Sequence, residues 1–225
     1  MNTGTILLTA SLMLSIAALF FLFKSRGGSE IQIVSARRIF YVTGMLIFFA
    51  VLILLSSFLN NEFQYAYIYN NSERGMSLIY KIAALWAGNE GSFLIWLFIL
   101  NICGLLIIYK KDKFEAPVLG SIILAQIFIL AILLVKNPFT YVWNDFPGEM
   151  QPGEIPGDGS GMNPLLLDPW MVAHPPVLFL GYASSTVIFG YAIASLLKRE
   201  YDEWIKPAYP WLLFSTLTLG IGIFM

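Results

Sequence analysis

The chain has 225 residues, 58% of them hydrophobic and only 12% charged, with a formal net charge of −1. Soluble domains carry about 25% charged residues, so this composition excludes an ordinary soluble fold and points to a polytopic helical membrane protein. The near-zero charge excludes the basic field that nucleic-acid binding needs, and a single cysteine, Cys103, excludes an intrachain disulfide.

A helix that crosses a bilayer needs about 20 mostly apolar residues. The spans predicted on that basis are Thr5–Phe23, Ile39–Leu59, about Ser92–Tyr109, Ala116–Val135 and Pro176–Leu197. A sixth begins near Tyr209 and is still apolar at Met225. The expected fold is therefore all-α, a transmembrane bundle of about six spans forming a single integral-membrane domain over 1–225. Residues 1–23 lack the basic start and small-residue cleavage site of a secretory leader, and their apolar run is too long for one.

Lys and Arg set the expected orientation, because basic loops stay in the cytoplasm. Lys24, Arg26, Arg37, Arg38, Lys110, Lys111, Lys113, Lys198, Arg199 and Lys206 follow the odd-numbered spans; Arg74, Lys81 and Lys136 follow the even ones. The N-terminus and two long loops, about 60–91 and 136–175, are thereby expected to face outward.

In the first of these loops Phe63, Tyr65, Tyr67 and Tyr69 alternate, as in a short strand or, the preferred reading, an interfacial aromatic belt. Met76–Ala87 is expected to lie along the surface as an interfacial helix. Gly88 and Gly91 then allow a break before the third span. The second loop is acidic, with Asp145, Glu149, Glu154, Asp158 and Asp168, and rich in Gly and Pro from Pro147 to Pro164. Its Gly157–Gly161 run lacks the Gly-Lys-Ser/Thr of a phosphate loop and is read as a flexible connector.

The one histidine of the chain, His174, directly precedes Pro175 and Pro176. Proline is favoured at the first position of a helix, so the fifth span is expected to open at Pro176 with His174 at its mouth. A histidine placed there can ligate a metal or haem iron, relay a proton, or decorate the interface. Neutral imidazole is a common axial ligand of haem, and a helix N-terminus disfavours imidazolium by about 0.3–1 kcal/mol. Serine-protease chemistry has no elbow serine here, and zinc would have to draw its remaining ligands from carboxylates alone. The small residues Gly181, Ser184, Ser185, Gly190, Ala192 and Ala194 are expected to let neighbouring helices approach closely.

Two stretches carry a resemblance. Asn163-Pro-Leu-Leu-Leu-Asp-Pro-Trp170-Met-Val-Ala-His174-Pro175-Pro176-Val-Leu-Phe-Leu-Gly-Tyr182 resembles the segment around the first outward histidine of CcmF/NrfE-type cytochrome c haem lyases. Tyr80-Lys-Ile-Ala-Ala-Leu-Trp86-Ala-Gly88-Asn-Glu90-Gly91-Ser92-Phe-Leu-Ile-Trp96 resembles that family's first Trp/Gly motif. Pro207–Ile223 is similar to the span that leads into its Trp-rich segment.

The resemblance implies covalent attachment of haem to apocytochrome c on the outer side of a bacterial-type inner membrane. It implies His174 as an axial ligand of haem, and Trp86, Trp96 and Trp170 as haem-contacting residues. Gly88, Glu90, Gly91, Ser92, Pro175 and Pro176 would form partner-binding or structural motif. The implied partners are a haem-delivery chaperone, apocytochrome c, thiol-handling maturation subunits, membrane lipid and the remaining Trp-rich portion of the lyase. The chain is then read as the N-terminal part of a larger haem lyase, inactive alone. A transporter or channel with a broken helix at Gly88–Ser92, and a non-catalytic membrane assembly subunit, are the competing readings.

Overall fold

The structure, a computed structural model, describes residues 2–25 and 29–225; Arg26, one of the basic residues used above, lies outside them. The described residues form α1 (Thr3–Lys24), α2 (Glu30–Leu59), α3 (Ala66–Asn71), α4 (Leu78–Ala83), α5 (Asn89–Lys110), α6 (Glu115–Val135), α7 (Val142–Asp145), α8 (Pro169–Lys198) and α9 (Ile205–Phe224). Six of these, α1, α2, α5, α6, α8 and α9, are long and apolar enough to span a membrane. No strand forms among the described residues, and the protein is an all-α polytopic membrane bundle.

The bundle is built around α6, which packs on α1, α5 and α8, while α2 leans on α1 and α5 and α9 leans on α8. Hydrocarbon offers no hydrogen-bond partners, so polar side chains inside it must find their own. Ser15 donates to the Ser11 carbonyl at 2.7 Å, Gln126 donates to Ser15 Oγ at 2.8 Å, and Asn101 donates to Gln126 at 3.4 Å. This buried chain ties α1, α6 and α5 together. At one end of the bundle, Arg37 of α2 meets the buried Glu115 of α6 through two parallel bonds of 2.5 and 2.8 Å, the fork geometry that suits guanidinium to carboxylate. Lys113 pairs there with Glu200 and Glu203.

The opposite end carries a folded cap made of the two long loops. Ala66 N–H donates to the Thr140 carbonyl at 2.9 Å and Val142 N–H to that of Gln64 at 2.8 Å. Tyr65 and Tyr141 stack over this bridge, and Tyr141 stacks in turn on Trp143. The aromatic alternation is thus neither a strand nor a uniform belt. Phe63 and Tyr67 are buried in the core, and the chain turns into α3 at Ala66 because this loop has a packed layer beneath it.

α4 forms inside the Met76–Ala87 segment. Leu78, Ile79 and Ile82 are exposed, while Lys81 turns inward and donates to Asn61 at 2.6 Å. The Gly157–Gly161 run is no free connector. Arg74 N–H donates to Asp158 and its Nε to the Gly157 carbonyl, both at 2.8 Å, and Ser160 N–H donates to Tyr69 O at 2.8 Å. Backbone donors and acceptors on the neighbouring loop hold the segment where composition alone suggested freedom.

Two helix boundaries also shift. α2 begins at Glu30 and α8 at Pro169, both well before the apolar runs that predicted them. The second long connection therefore ends at Asp168, not Pro175.

Candidate functional site

The start of α8 follows the proline rule, applied to a different proline. Asp168 is the N-cap, its carboxylate accepts from Trp170 N–H at 2.8 Å, and Pro169 takes the first helical position. His174 consequently sits in the second turn, not at the mouth, with Pro175 and Pro176 inside the helix. The helix-terminus contribution to its charge state fades beyond the first turn and no longer applies.

Prolines inside a helix withhold N–H donors from carbonyls four residues earlier. Pro175 leaves the Met171 carbonyl without that donor, and Trp86 supplies one from Nε1 at 3.3 Å. This bond joins the two sequence motifs. Trp170 lies one residue before Met171 and is 62% exposed.

His174 is half-buried on the cap side of α8. Its Nδ1 lies 2.7 Å from the backbone carbonyl of Gly222 in α9. Nε2 makes no hydrogen bond among the described residues. Below it, α8 and α9 meet along small side chains: Gly181 faces Thr218 and Leu219, and Ser185 and Ser215 share a hydrogen bond at 2.7 Å.

The motif around Trp86 is organised by Tyr67, a residue that sequence reasoning left among the belt aromatics. Its hydroxyl accepts from Gly88 N–H at 3.0 Å and donates to the Ala84 carbonyl at 3.1 Å. Burial pushes this phenol far above its ordinary range, so it remains a neutral donor. Gly91 is required by close approach: a Cβ there would lie 1.9 Å from the Leu85 carbonyl oxygen and 2.4 Å from the Tyr67 hydroxyl. Ser92 completes the turn by donating to the Trp86 carbonyl at 3.0 Å. Glu90 stands in the first turn of α5. Burial first, and then the Glu90 carboxylate, hold Asp145 of the cap above the usual carboxylate range.

Trp96 falls elsewhere. It stacks with Phe93 and packs on Tyr182, in a groove of about 380 Å³ between α5 and α8 lined also by Asn89, Ser92 and Phe179. Tyr182 is eight residues beyond His174, roughly 12 Å along the helix axis. Trp86 and Trp170 are thus grouped with the histidine segment, while Trp96 belongs to a deeper groove with its Nε1–H buried and unpaired. A larger cavity of about 800 Å³ lies at the other end, against Arg37 and Glu115, far from this chemistry. No group of three or more potential metal-ligating side chains occurs among the described residues.

A family model described as cytochrome C assembly protein matches residues 86–225, from the Trp86 motif through His174 to α9. The chain belongs to the cytochrome c assembly protein family. Relatives include the cytochrome c-type biogenesis protein CcmF of Haemophilus influenzae, 35% identical over 96% of this chain and 32% of that protein. The probable cytochrome c-type biogenesis protein NrfE of Escherichia coli K12 is 33% identical, over 79% of this chain and 33% of its own length. The solved cytochrome c haem lyase CcmF shares the fold, with a TM-score of 0.79 at 21% identity over 99% of this chain and 35% of that one. The chain spans about a third of the length of the curated family relatives it matches.

Proposed function

We propose that this chain supplies one half of a haem-holding site in cytochrome c maturation, with His174 as one axial ligand. The observation that carries the reading is the state of the chain's one imidazole. It stands half-buried at the cap end, with Nδ1 occupied and Nε2 free to offer a lone pair. Iron takes imidazole at a ring nitrogen, so the donor set fits one axial position. The second position falls to a residue of another segment or subunit. Haem is here the substrate, held for covalent attachment to apocytochrome c.

Trp86, fixed to the Met171 carbonyl, and the exposed Trp170 provide aromatic surface on the same stretch of α8 as His174. Trp96, Glu90 and the Gly88–Ser92 turn serve the support and the partner-facing surface. The distribution of Lys and Arg supports an outward cap, on the outer face of the cytoplasmic membrane. There it would meet a haem-delivery chaperone, apocytochrome c, thiol-handling subunits and the Trp-rich part of the lyase. The glycines of the helix break face Tyr67 and Leu85, which favours this reading over a channel lined by that break.

The test is haem content, read as pyridine haemochrome, of the chain purified from membranes that also express a Trp-rich lyase partner. Haem that co-purifies with the parent and is lost from His174→Ala supports the assignment. Equal haem in both preparations overturns it.

A further inference from the structure

Gly222 ends the run of small side chains along which α8 and α9 pack, and nothing in its side chain, a hydrogen atom, carries chemistry. Its carbonyl does. A carbonyl oxygen only accepts, so at 2.7 Å from His174 Nδ1 it requires the proton on that nitrogen. In the neutral ring the other nitrogen is then bare. A neutral histidine side chain free in water prefers the opposite form, with the proton on Nε2.

We propose that the backbone carbonyl of Gly222 is the positioning group for His174, holding the ring in the Nδ1–H tautomer and presenting Nε2 to an incoming iron. This rests on the reading of His174 as a haem ligand and extends it to α9. Metal-bound histidines typically donate their second ring N–H to a carboxylate, carbonyl or water, which fixes ring orientation and raises ligand basicity. Here the acceptor comes from a different transmembrane helix.

The register of the two helices makes this possible. Contacts run antiparallel from Ser185 with Ser215, through Gly181 with Thr218 and Leu219, to Leu178 with Gly222. Ser215 Oγ also donates to the Gly181 carbonyl at 3.0 Å. A Cβ on Gly222 would stand 2.5 Å from Leu178 Cδ2 and 2.9 Å from its Cγ. The missing side chain is what brings the α9 backbone within reach of the imidazole. Among the small residues of this interface, Gly222 is the one whose glycine identity serves the ligand.

Because the chain has one histidine, ring-¹⁵N histidine labelling gives a single pair of ring signals. The experiment is NMR of the labelled chain in lipid nanodiscs without haem, at roughly pH 8, above the ordinary histidine pKa of about 6.5. The expected result is a protonated Nδ1 and a bare Nε2. A ring with its proton on Nε2, or a mixture like that of free histidine, overturns the proposal. Gly222→Val should shift the ring toward the Nε2–H form, and adding Leu178→Ala should restore Nδ1–H by making room for the new side chain. An unchanged Nδ1–H signal in folded Gly222→Val also overturns it; should that variant fail to fold, the parent spectrum decides.

With haem added to the chain and its Trp-rich partner, Gly222→Val should weaken ferric haem binding by about 10- to 100-fold and raise the reduction potential, because a less basic imidazole stabilises ferric iron less, with recovery in the double variant. Equal affinity and potential across the three chains overturn the positioning role. An Nδ1–H ring in a protein whose haem content ignores His174→Ala contradicts the ligand reading alone, so the two failures are distinguishable.

Discussion

The turn around Trp86–Ser92 and the first turns of α8 are neighbours joined by one hydrogen bond, yet they are built on opposite principles. In the turn, Tyr67 satisfies both a buried N–H and a buried carbonyl, and Gly91 leaves no space for a methyl group. At the start of α8, two consecutive prolines withhold backbone donors, Trp170 is exposed and His174 keeps a free nitrogen. The first region is closed by its own contacts; the second has valences left over. Binding groups held on a rigid support lose little on engaging a ligand, and the contrast supports the proposal that the turn is the support and α8 the place where chemistry is presented.

The largest effect should come from filling the closed region. Gly91→Ala drives a Cβ into the Leu85 carbonyl, which is backbone and cannot swing aside, and should cost about 3 kcal/mol in detergent unfolding assays. Gly75→Ala, with no atom within 4 Å of the new Cβ, should be close to neutral. Equal losses at the two positions would erase the contrast.

Tyr67→Phe should follow, at about 1–3 kcal/mol, because the Gly88 N–H and the Ala84 carbonyl lose their partner. Trp86→Phe keeps an aromatic ring but removes the donor to Met171 together with the pyrrole part of the indole. It should cost about 1 kcal/mol, seen as faster hydrogen exchange confined to the first two turns of α8. Exchange spread evenly over the bundle would mean that the bond is not the link between the regions.

The smallest effect lies in the cap. The N–H groups of Arg74 and Gly159 hold the Asp158 carboxyl below its usual range. A depressed carboxyl stabilises the fold above its unfolded pKa of about 3.9, and that support is lost as pH falls through the lower folded value. Protease cleavage within 157–161 should therefore increase below about pH 4, and Asp158→Asn should flatten that dependence. A segment cut equally at every pH would show no such link.

The bundle was largely legible, because the length and apolar content of membrane spans are set by the bilayer itself. The closed turn was half legible: Gly88 and Gly91 announced a break, but Tyr67 looked like any belt aromatic until its partners, seventeen and more residues away, came into contact with it. The α8 start was misplaced because Pro169 and Pro176 both obey the helix-opening rule, and only the Asp168 cap distinguishes them. The docked Gly157–Gly161 segment and the Gly222 carbonyl left no local signal. Their partners lie on other loops and helices, and a backbone carbonyl has no letter in a sequence.

The central claim is that His174 offers its free nitrogen to haem iron, and the most direct measurement is the visible spectrum of the haem-loaded complex with His174→Gly, before and after adding imidazole. The account predicts that the variant loses or shifts the Soret and α bands, that imidazole restores them, and that unfolding of the protein is little changed. Parent-like bands in His174→Gly without imidazole would contradict it.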